Sequence, residues 1–253
     1  MARKRRNQEN ALASLSRLLA IIIESIILLI IRLIGFFFDL FTFFTSKYKQ
    51  KSGNGFLKTY FNKGNYGEFI IYRKVIRIFG KESVLTNIYL DSKNTETTEI
   101  DVLAVSSKGI YVFEMKNYSG FIYGSEQDQN WTQVLNRWTK NKFYNPLRQN
   151  YSHIKALESY LAIPNSAIIP MIVFSNRSRL SKIDISDTHN VFQFKNAIRF
   201  IKRYEKKETD LFSDQQIRDY LTQILEKCNM PEEVKQKHIN DVLERQKQKN
   251  ISS

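Results

Sequence analysis

The chain has 253 residues, of which 42% are hydrophobic and 13% aromatic, which suits one domain with a substantial core plus smaller appendages. Its single cysteine, Cys228, excludes an intramolecular disulfide and a zinc site built from several cysteines. The formal net charge is +14, with an excess of eight positive charges in residues 1–63, six in 64–205 and none in 206–253. Because more than half of the excess lies near the N-terminus, anionic lipid explains it as well as nucleic acid does.

A basic tip at residues 1–6 precedes an apolar segment at 18–44 that is rich in Ile, Leu and Phe. The segment exceeds the roughly 20 residues that a helix needs to cross a bilayer, and no A-x-A-like cleavage site follows it. We expect a single-pass membrane helix, with an interfacial helix or a soluble buried helix as the alternatives. Four charged residues lie on one stripe of this helix: Arg17, Glu24, Arg32 and Asp39. The stripe would be either the water-exposed face of an interfacial helix or the contact with a second copy of the chain.

Lysines and arginines are balanced on the two sides of the apolar segment, so the positive-inside comparison favours neither orientation. We expect the domain that follows to be cytoplasmic. Residues 45–63 are polar and basic, which predicts a juxtamembrane linker whose lysines would also bind anionic lipid. Apolar spacing then predicts a helix over 65–79, ended by Gly80, with Glu68 in its first turn. An acid there is ordinarily explained by the helix dipole.

Residues 84–90 are predicted to be a strand, and a hairpin is predicted over 97–116. Asp101 lies on the first strand of the hairpin, whereas Glu114 and Lys116 are two apart on the second and so share a face. Two carboxylates suit Mg²⁺, and a nearby lysine would orient water or stabilise charge on a phosphate. Solvated acids at strand ends are the ordinary explanation of such a pattern.

Residues 118–124 are predicted to form a further strand, and 127–142 a hairpin that contains Trp131 and Trp138. We expect the tryptophans to anchor this hairpin against the core. The alternative is that they stack on nucleic acid, because basic residues are interleaved with them: Arg137, Lys140 and Lys142.

A helix is predicted to begin at Asn145-Pro146 and to continue to about Leu161. Its predicted apolar face consists of Leu147, Tyr151, Ile154, Leu157 and Leu161. Gln149 and His153 are four residues apart and therefore share another side of the helix. An exposed polar face is the ordinary explanation of that pair.

Residues 167–174 are predicted to be a strand buried on both faces, with Pro170 at a bulge or an edge. Arg177 and Arg179 follow in a predicted loop, where they would contact phosphate or simply be solvated. A short strand at 191–194 and a helix at 196–204 would complete the domain. Residues 206–253 are predicted to form helices at 214–227 and 231–249, in which no catalytic pattern occurs.

Three motifs in this order resemble the NERD, or nuclease-related, domain of the PD-(D/E)xK nuclease superfamily: GNYGE at 64–68, TEIDVLAVSSKGIYVFEMKNYSG at 98–120 and NPLRQN at 145–150. The resemblance covers residues 64–175. It implies an α/β, restriction-endonuclease-like core at 64–205, with a mixed central sheet flanked by helices. Residues 1–44 would then be the basic tip and membrane helix, 45–63 the linker and 206–253 a C-terminal helical extension.

The resemblance further implies a hydrolase that cuts phosphodiester bonds of DNA or RNA, with DNA favoured, using Mg²⁺ or Mn²⁺. Its implied catalytic residues are Asp101, Glu114, Lys116, Glu68 and Gln149, of which Asp101, Glu114 and Glu68 would hold the metal. Nucleic acid would be contacted by Arg177, Arg179 and His153. The expected partners are nucleic acid, membrane lipid and a second copy of the chain. The alternative is a membrane-anchored module that binds nucleic acid or protein on this fold without catalysis.

Overall fold

A computed structural model of the chain describes residues 2–91, 97–186 and 189–228, together with Glu233. The chain divides into two compact units, residues 1–45 and 46–253. The first unit is one helix, α1 (Ala2–Thr45), of which residues 14–45 are long and apolar enough to cross a membrane. The predicted apolar helix is thus confirmed, and its place in a bilayer stays a prediction.

The second unit is a mixture of helices and strands. Its helices are α2 (Tyr48–Ser52), α3 (Phe56–Phe61), α4 (Lys63–Phe79), α5 (Pro146–Leu161), α6 (Phe194–Lys207) and α7 (Asp214–Glu226), with a 3₁₀ turn at Asn165–Ala167. Its strands are β1 (Val84–Asp91), β2 (Thr97–Ser106), β3 (Gly109–Lys116), β4 (Gly120–Ser125), β5 (Asn130–Val134), β6 (Lys140–Tyr144), β7 (Ile168–Phe174), β8 (Ser178–Asp184) and β9 (Val191–Gln193).

The first sheet has the strand order β1-β2-β3-β7-β9. β1, β2 and β3 are antiparallel neighbours, and the predicted β2–β3 hairpin is confirmed, closed by the pair Ser106 and Gly109. β7 and β9 run parallel to β3, so the sheet is mixed, as the α/β core required. β9 pairs only with residues 172–174 in the described part of the chain, so Pro170 lies where β9 does not cover β7.

Helices cover both faces of the first sheet. On one face Leu103 and Val112 pack with Leu157 of α5 and Ile224 of α7. On the other face α4 lies close to β3, and its Phe79 contacts Tyr111 with ring centroids 5.0 Å apart. Burying one such large apolar side chain is worth about 1.5–3 kcal/mol. A charged group on β3 is therefore surrounded by desolvating neighbours.

A second sheet, with the order β6-β5-β4-β8, was not expected. Its β8 occupies the stretch that the sequence predicts to be a loop, and this prediction is wrong. The predicted tryptophan hairpin is confirmed as β5–β6. Trp131 is fully buried and stacks on Phe174 at 6.1 Å between ring centroids, whereas Trp138 is 81% exposed.

Three other predictions differ from the structure or lie outside it. Tyr151 is 58% exposed and does not belong to the buried face of α5. The stretch 45–63 contains two short helices, and Lys51 within it is buried. The predicted helix at 231–249 lies outside the described residues, apart from Glu233.

Candidate functional site

Lys116, the last residue of β3, lies between two oxygen atoms from different elements. Its Nζ is 2.7 Å from Glu114 Oε1 on the same strand and donates a 2.9 Å hydrogen bond to Gln149 Oε1 on α5. The Glu114 side chain is 2% exposed, whereas the Lys116 side chain is 17% exposed and reaches solvent. The structure thus brings together three of the predicted site residues, with the ammonium group at the surface of the cluster.

His153 occupies the other side of Glu114. Its Nε2 is 3.2 Å from Glu114 Oε2, and its Nδ1 is 2.7 Å from Thr98 Oγ1 on β2. Since an ionised carboxylate only accepts hydrogen bonds, Nε2–H donates to Glu114, and in the neutral ring Nδ1 accepts from the Thr98 hydroxyl. The predicted contact between His153 and nucleic acid is therefore wrong, because the side chain is buried and both ring nitrogens are engaged.

These partners determine the protonation of Glu114. Burial by itself would raise the pKa of the Glu114 carboxyl. The hydrogen bond from His153 and the charge of Lys116 outweigh burial, so the net pKa of Glu114 lies below its usual value. Glu114 is consequently a carboxylate that is held ionised in an otherwise apolar sheet.

Asp101 lies at the same end of the β2–β3 hairpin as Glu114. The β2–β3 pairing extends to Val102 and Phe113, so Asp101 and Glu114 are the next residues on the two strands, and the charge of Glu114 acts on the Asp101 carboxyl. Burial and the charges of Glu114 and Glu68 raise the pKa of Asp101 well above its usual value, and Lys116 only partly opposes them. Asp101 and Glu114 thus form a carboxylate pair whose joint ionisation requires additional positive charge.

Glu68 approaches the same charges from α4. The neighbouring Gly67 permits a close approach, because a Cβ there would lie 2.8 Å from Asn117 Cβ and 3.2 Å from Met115 Cγ. Burial, followed by the charges of Glu99 and Glu114, raises the pKa of Glu68 to about 7. In the GNYGE motif, Gly67 therefore allows tight packing of α4, and the pKa of Glu68 responds to the charges of carboxylates on β2 and β3.

The donor set suits a divalent cation bound by few protein ligands. Asp101 and Glu114 offer oxygen donors, and a cation would relieve the repulsion that raises the pKa of Asp101. No group of three or more His, Cys, Asp and Glu side chains in the described part of the chain is already arranged to hold a metal. Mg²⁺ fits this situation, because it usually keeps several waters and uses one or two carboxylates.

Asn145 positions α5 and was predicted only as the start of that helix. It is fully buried, and its Oδ1 accepts from the backbone N–H of Leu147 at 2.9 Å. Its Nδ2 donates to three backbone carbonyls, those of Ser125, Glu126 and Asp128. The asparagine therefore ties the N-terminus of α5, and with it Gln149, to the loop after β4. The signal available in the sequence was an asparagine directly before a proline.

The two predicted arginines lie in different places. Arg177 is exposed, and its Nη2 donates at 3.0 Å to Oδ1 of Asn117, the residue that follows Lys116 along the chain. Arg179 lies on β8 of the second sheet, with its guanidinium carbon 5.7 Å from the ring centroid of Phe121. Arg177 therefore borders the Lys116 site, and Arg179 belongs to another surface.

Comparison with known proteins agrees with the motifs. The family described as nuclease-related domain, NERD, matches residues 63–175. An uncharacterized protein of Bacillus anthracis is 33% identical over 179 residues, which are 70% of this chain and 82% of that protein. A protein of unknown function, AF1548, whose crystal structure is known, is 12% identical; the match covers 72% of this chain and 96% of that one, with a TM-score of 0.32. The chain belongs to the nuclease-related domain (NERD) family.

Proposed function

We propose that the protein is a membrane-anchored, metal-dependent nuclease that hydrolyses phosphodiester bonds of DNA or RNA, with DNA favoured. The observation that carries the proposal is the position of the Lys116 ammonium, 2.7 Å from buried Glu114 and 2.9 Å from Gln149. Asp101, which follows the paired part of the hairpin and is affected by the charge of Glu114, would supply the second carboxylate. The domain at 64–205 would perform the reaction, and residues 1–44 would anchor it.

Asp101 and Glu114 would hold Mg²⁺ or Mn²⁺, with Glu68 as the third acid. When bound, such an ion polarises a phosphate oxygen and lowers the pKa of a water molecule. Removing the ion should leave carboxylates that repel one another, as the raised pKa values of Asp101 and Glu68 indicate. Cleavage should therefore require added metal and stop in EDTA.

The chain's own residues would act around the scissile phosphate. Lys116, which reaches solvent, would stabilise negative charge that develops on the phosphate oxygens. Gln149 and Glu114 hold the Lys116 ammonium in place. His153 and Thr98 fix the Glu114 carboxylate from behind and are positioning residues, since they are on the side away from Lys116.

A binding module without catalysis is the second candidate. The observation in its favour is that, among the described residues, three acidic or imidazole groups do not already converge as metal ligands. Against it stands the retention of a buried, ionised Glu114 beside Lys116, because burying a charge costs several kcal/mol and binding alone gives no reason for it.

The test uses the purified full chain in detergent micelles, incubated with DNA and with RNA in Mg²⁺, Mn²⁺ or EDTA. We expect metal-dependent cleavage, and Lys116→Ala should reduce kcat about 10²- to 10³-fold, the usual cost of removing a group that stabilises transition-state charge. Lys155→Ala, which removes an exposed lysine from α5, is the matched control and should cut normally. Binding without cleavage by both the wild type and Lys116→Ala would favour the binding module.

The membrane anchor is tested separately. Charged residues such as Glu24 and Arg32 interrupt the apolar segment, and a span would place them against a second copy of the chain. We expect the protein to stay in the membrane pellet after alkaline carbonate extraction. Release into the supernatant would exclude a span and favour an interfacial helix. The cytoplasmic position of the nuclease domain would be checked by protease protection in inverted vesicles.

A further inference from the structure

The second sheet buries one face and leaves the other to solvent. Ile122, Trp131 and the partly buried Phe143 and Leu180 point inward to a core that includes Phe174. Since side chains alternate along a strand, their sequence neighbours point outward. We call this side the outer face; it consists of Phe121, Tyr123, Ser125, Asn130, Thr132, Val134, Lys140, Lys142, Tyr144, Arg179, Lys182 and Asp184.

The register aligns these residues in rows across the four strands. One row runs from Arg179 through Phe121 and Val134 to Lys140. The next row runs from Lys182 through Tyr123 and Thr132 to Lys142. Each row therefore has a basic residue at both ends and an aromatic residue between them. With neighbouring strands about 4.8 Å apart, the two ends are separated by about 14 Å.

A β-bulge produces this arrangement on β8. Ile122 pairs with Leu180, but the next residue, Tyr123, pairs with Lys182, so Ser181 is the extra residue. Without the bulge, Arg179 and Lys182, three apart, would point to opposite faces. The bulge puts both on the outer face, and both are exposed.

Three aromatic residues on or beside this face are open to solvent, whereas Tyr123 is half-buried. Phe121 is 41% exposed, Tyr144 49%, and Trp138, in the turn between β5 and β6, 81%. Arg179 lies over Phe121, and the guanidinium carbon of Arg137 is 4.4 Å from the ring centroid of Trp138. Hydrophobic burial does not explain these positions, because each ring keeps a large part of its surface in water.

Charge identifies the partner. The outer face carries four basic residues, joined by Arg137 in the adjacent turn. Asp184, at the end of β8, is the one acid that the same register puts on this side among the described residues. A sheet face with cations at its edges and aromatic rings between them is complementary to a polyanion that also presents flat rings.

We propose that the outer face binds single-stranded nucleic acid, with bases stacked on Phe121 and its neighbours and phosphates at the flanking lysines and arginines. The proposal rests on the proposed nuclease function for its purpose, which is to lead a strand to the Lys116 site. Phe121 is five residues after Lys116, so their Cα atoms are at most about 18 Å apart. A few nucleotides of a nucleic-acid strand bound on the outer face would span that distance.

Single-stranded nucleic acid fits better than a duplex or a lipid surface. A duplex hides its base faces in the stack, so the exposed rings would have nothing to stack on. An anionic membrane would attract the lysines equally well but requires no row of rings flanked by charge on both sides. The duplex and the membrane are therefore outcomes that the experiment distinguishes.

The experiment measures binding by the full chain in detergent micelles, in EDTA so that binding is separate from cleavage. The probe is a fluorescein-labelled oligodeoxythymidylate of about 20 nucleotides, longer than the 4–16 or so that small sheet-based sites cover. Lys140→Gln/Lys142→Gln should make the slope of log K against log salt shallower by about 1.4, since each phosphate contact on a single strand contributes about 0.7. Phe121→Ala should weaken binding about fivefold or more.

The control variants remove the same number of charges, or one aromatic ring, from surfaces other than the outer face. Lys206→Gln/Lys207→Gln removes two exposed lysines from the end of α6, and Tyr151→Ala removes an exposed ring from α5; both should bind as the wild type does. An unchanged salt slope and affinity in the outer-face variants would overturn the proposal. The proposal would also be overturned if the wild type bound a duplex as tightly as the single strand. The same holds if Lys140→Gln/Lys142→Gln weakened binding to phosphatidylserine vesicles but not to the oligonucleotide.

The two proposals fail in different ways. A wild type that binds the oligonucleotide through Lys140 and Lys142 but never cuts would refute the nuclease and leave the outer face intact. A wild type that cuts in Mg²⁺, while Lys140→Gln/Lys142→Gln binds and cuts equally well, would refute the outer face and leave the nuclease intact.

Discussion

β3 and β6 each carry two charged residues two positions apart on one face, and the fold treats the pairs in opposite ways. β3 lies in the middle of the first sheet, and each of its residues except Lys116 is buried. β6 is an edge strand of the second sheet, and its Lys140 and Lys142 are exposed. The same spacing therefore yields a buried Glu114 with a partly exposed Lys116 in β3, and two solvated lysines in β6.

Burial decides what each pair can do. Glu114 has lost its water and is held by Lys116 and His153 at 2.7 and 3.2 Å, so its orientation and charge are fixed by neighbours. The β6 lysines keep their hydration and act over a distance of about 8–10 Å that salt shortens. Chemistry that needs a defined geometry suits the first strand, and reversible attraction of a polyanion suits the second.

The largest effect that would test this contrast is on stability. Glu114→Ala should lower the free energy of unfolding by about 3 kcal/mol, because it leaves Lys116 and His153 without their buried acceptor. That is the low end of the usual cost, since Lys116 reaches solvent and relief of the repulsion on Asp101 offsets part of it. Urea unfolding of the full chain in micelles, followed by tryptophan fluorescence, measures it.

The matched control for Glu114→Ala is Asp184→Ala, which removes an exposed acid from β8. Its effect should stay within about 0.5 kcal/mol, as for most surface substitutions. If both variants lost the same stability, the two sheets would not differ in how strongly they depend on their charged residues.

The first sheet was largely predictable because its signals are local. Apolar runs on either side of the turn at 106–109 predicted the β2–β3 hairpin, and the two-residue spacing put Glu114 and Lys116 on one face. The length of that turn sets the register up to the pair Val102 and Phe113, which brings Asp101 and Glu114 to the same end of the hairpin. Local alternation of apolar residues and the turn residues are therefore enough to predict the hairpin and the positions of Glu114 and Lys116 on it.

β8 was missed because a bulge breaks the pattern on which strand prediction depends. Leu180 and Ile183 both point inward, yet they are three residues apart, since Ser181 is the extra residue. Strict alternation would set inward residues an even number apart, so the segment resembles a polar loop. The bulge that hid the strand also placed Arg179 and Lys182 together.

The wrong predictions for Tyr151 and His153 on α5 have a common cause. At about 100° per residue, the buried positions of this helix form an arc that includes Asn150 and His153, and Tyr151 falls beyond its edge. The sequence suggested the reverse, because tyrosine counts as apolar and histidine as polar. His153 is buried because Glu114 and Thr98, 39 and 55 residues away in the chain, supply its hydrogen bonds.

The smallest predicted effect concerns His153. His153→Leu puts an apolar side chain of roughly similar size in the same buried position and removes the donor that helps to lower the pKa of Glu114. The pKa of Glu114 should then rise, so the acidic limb of the pH–rate profile should move to higher pH, and kcat/KM at neutral pH should fall about tenfold, the usual cost of losing an outer-shell partner. His153→Gln, which retains an N–H donor, should recover most of both. Equal losses in the two variants with an unmoved acidic limb would show that His153 only fills space beneath Glu114.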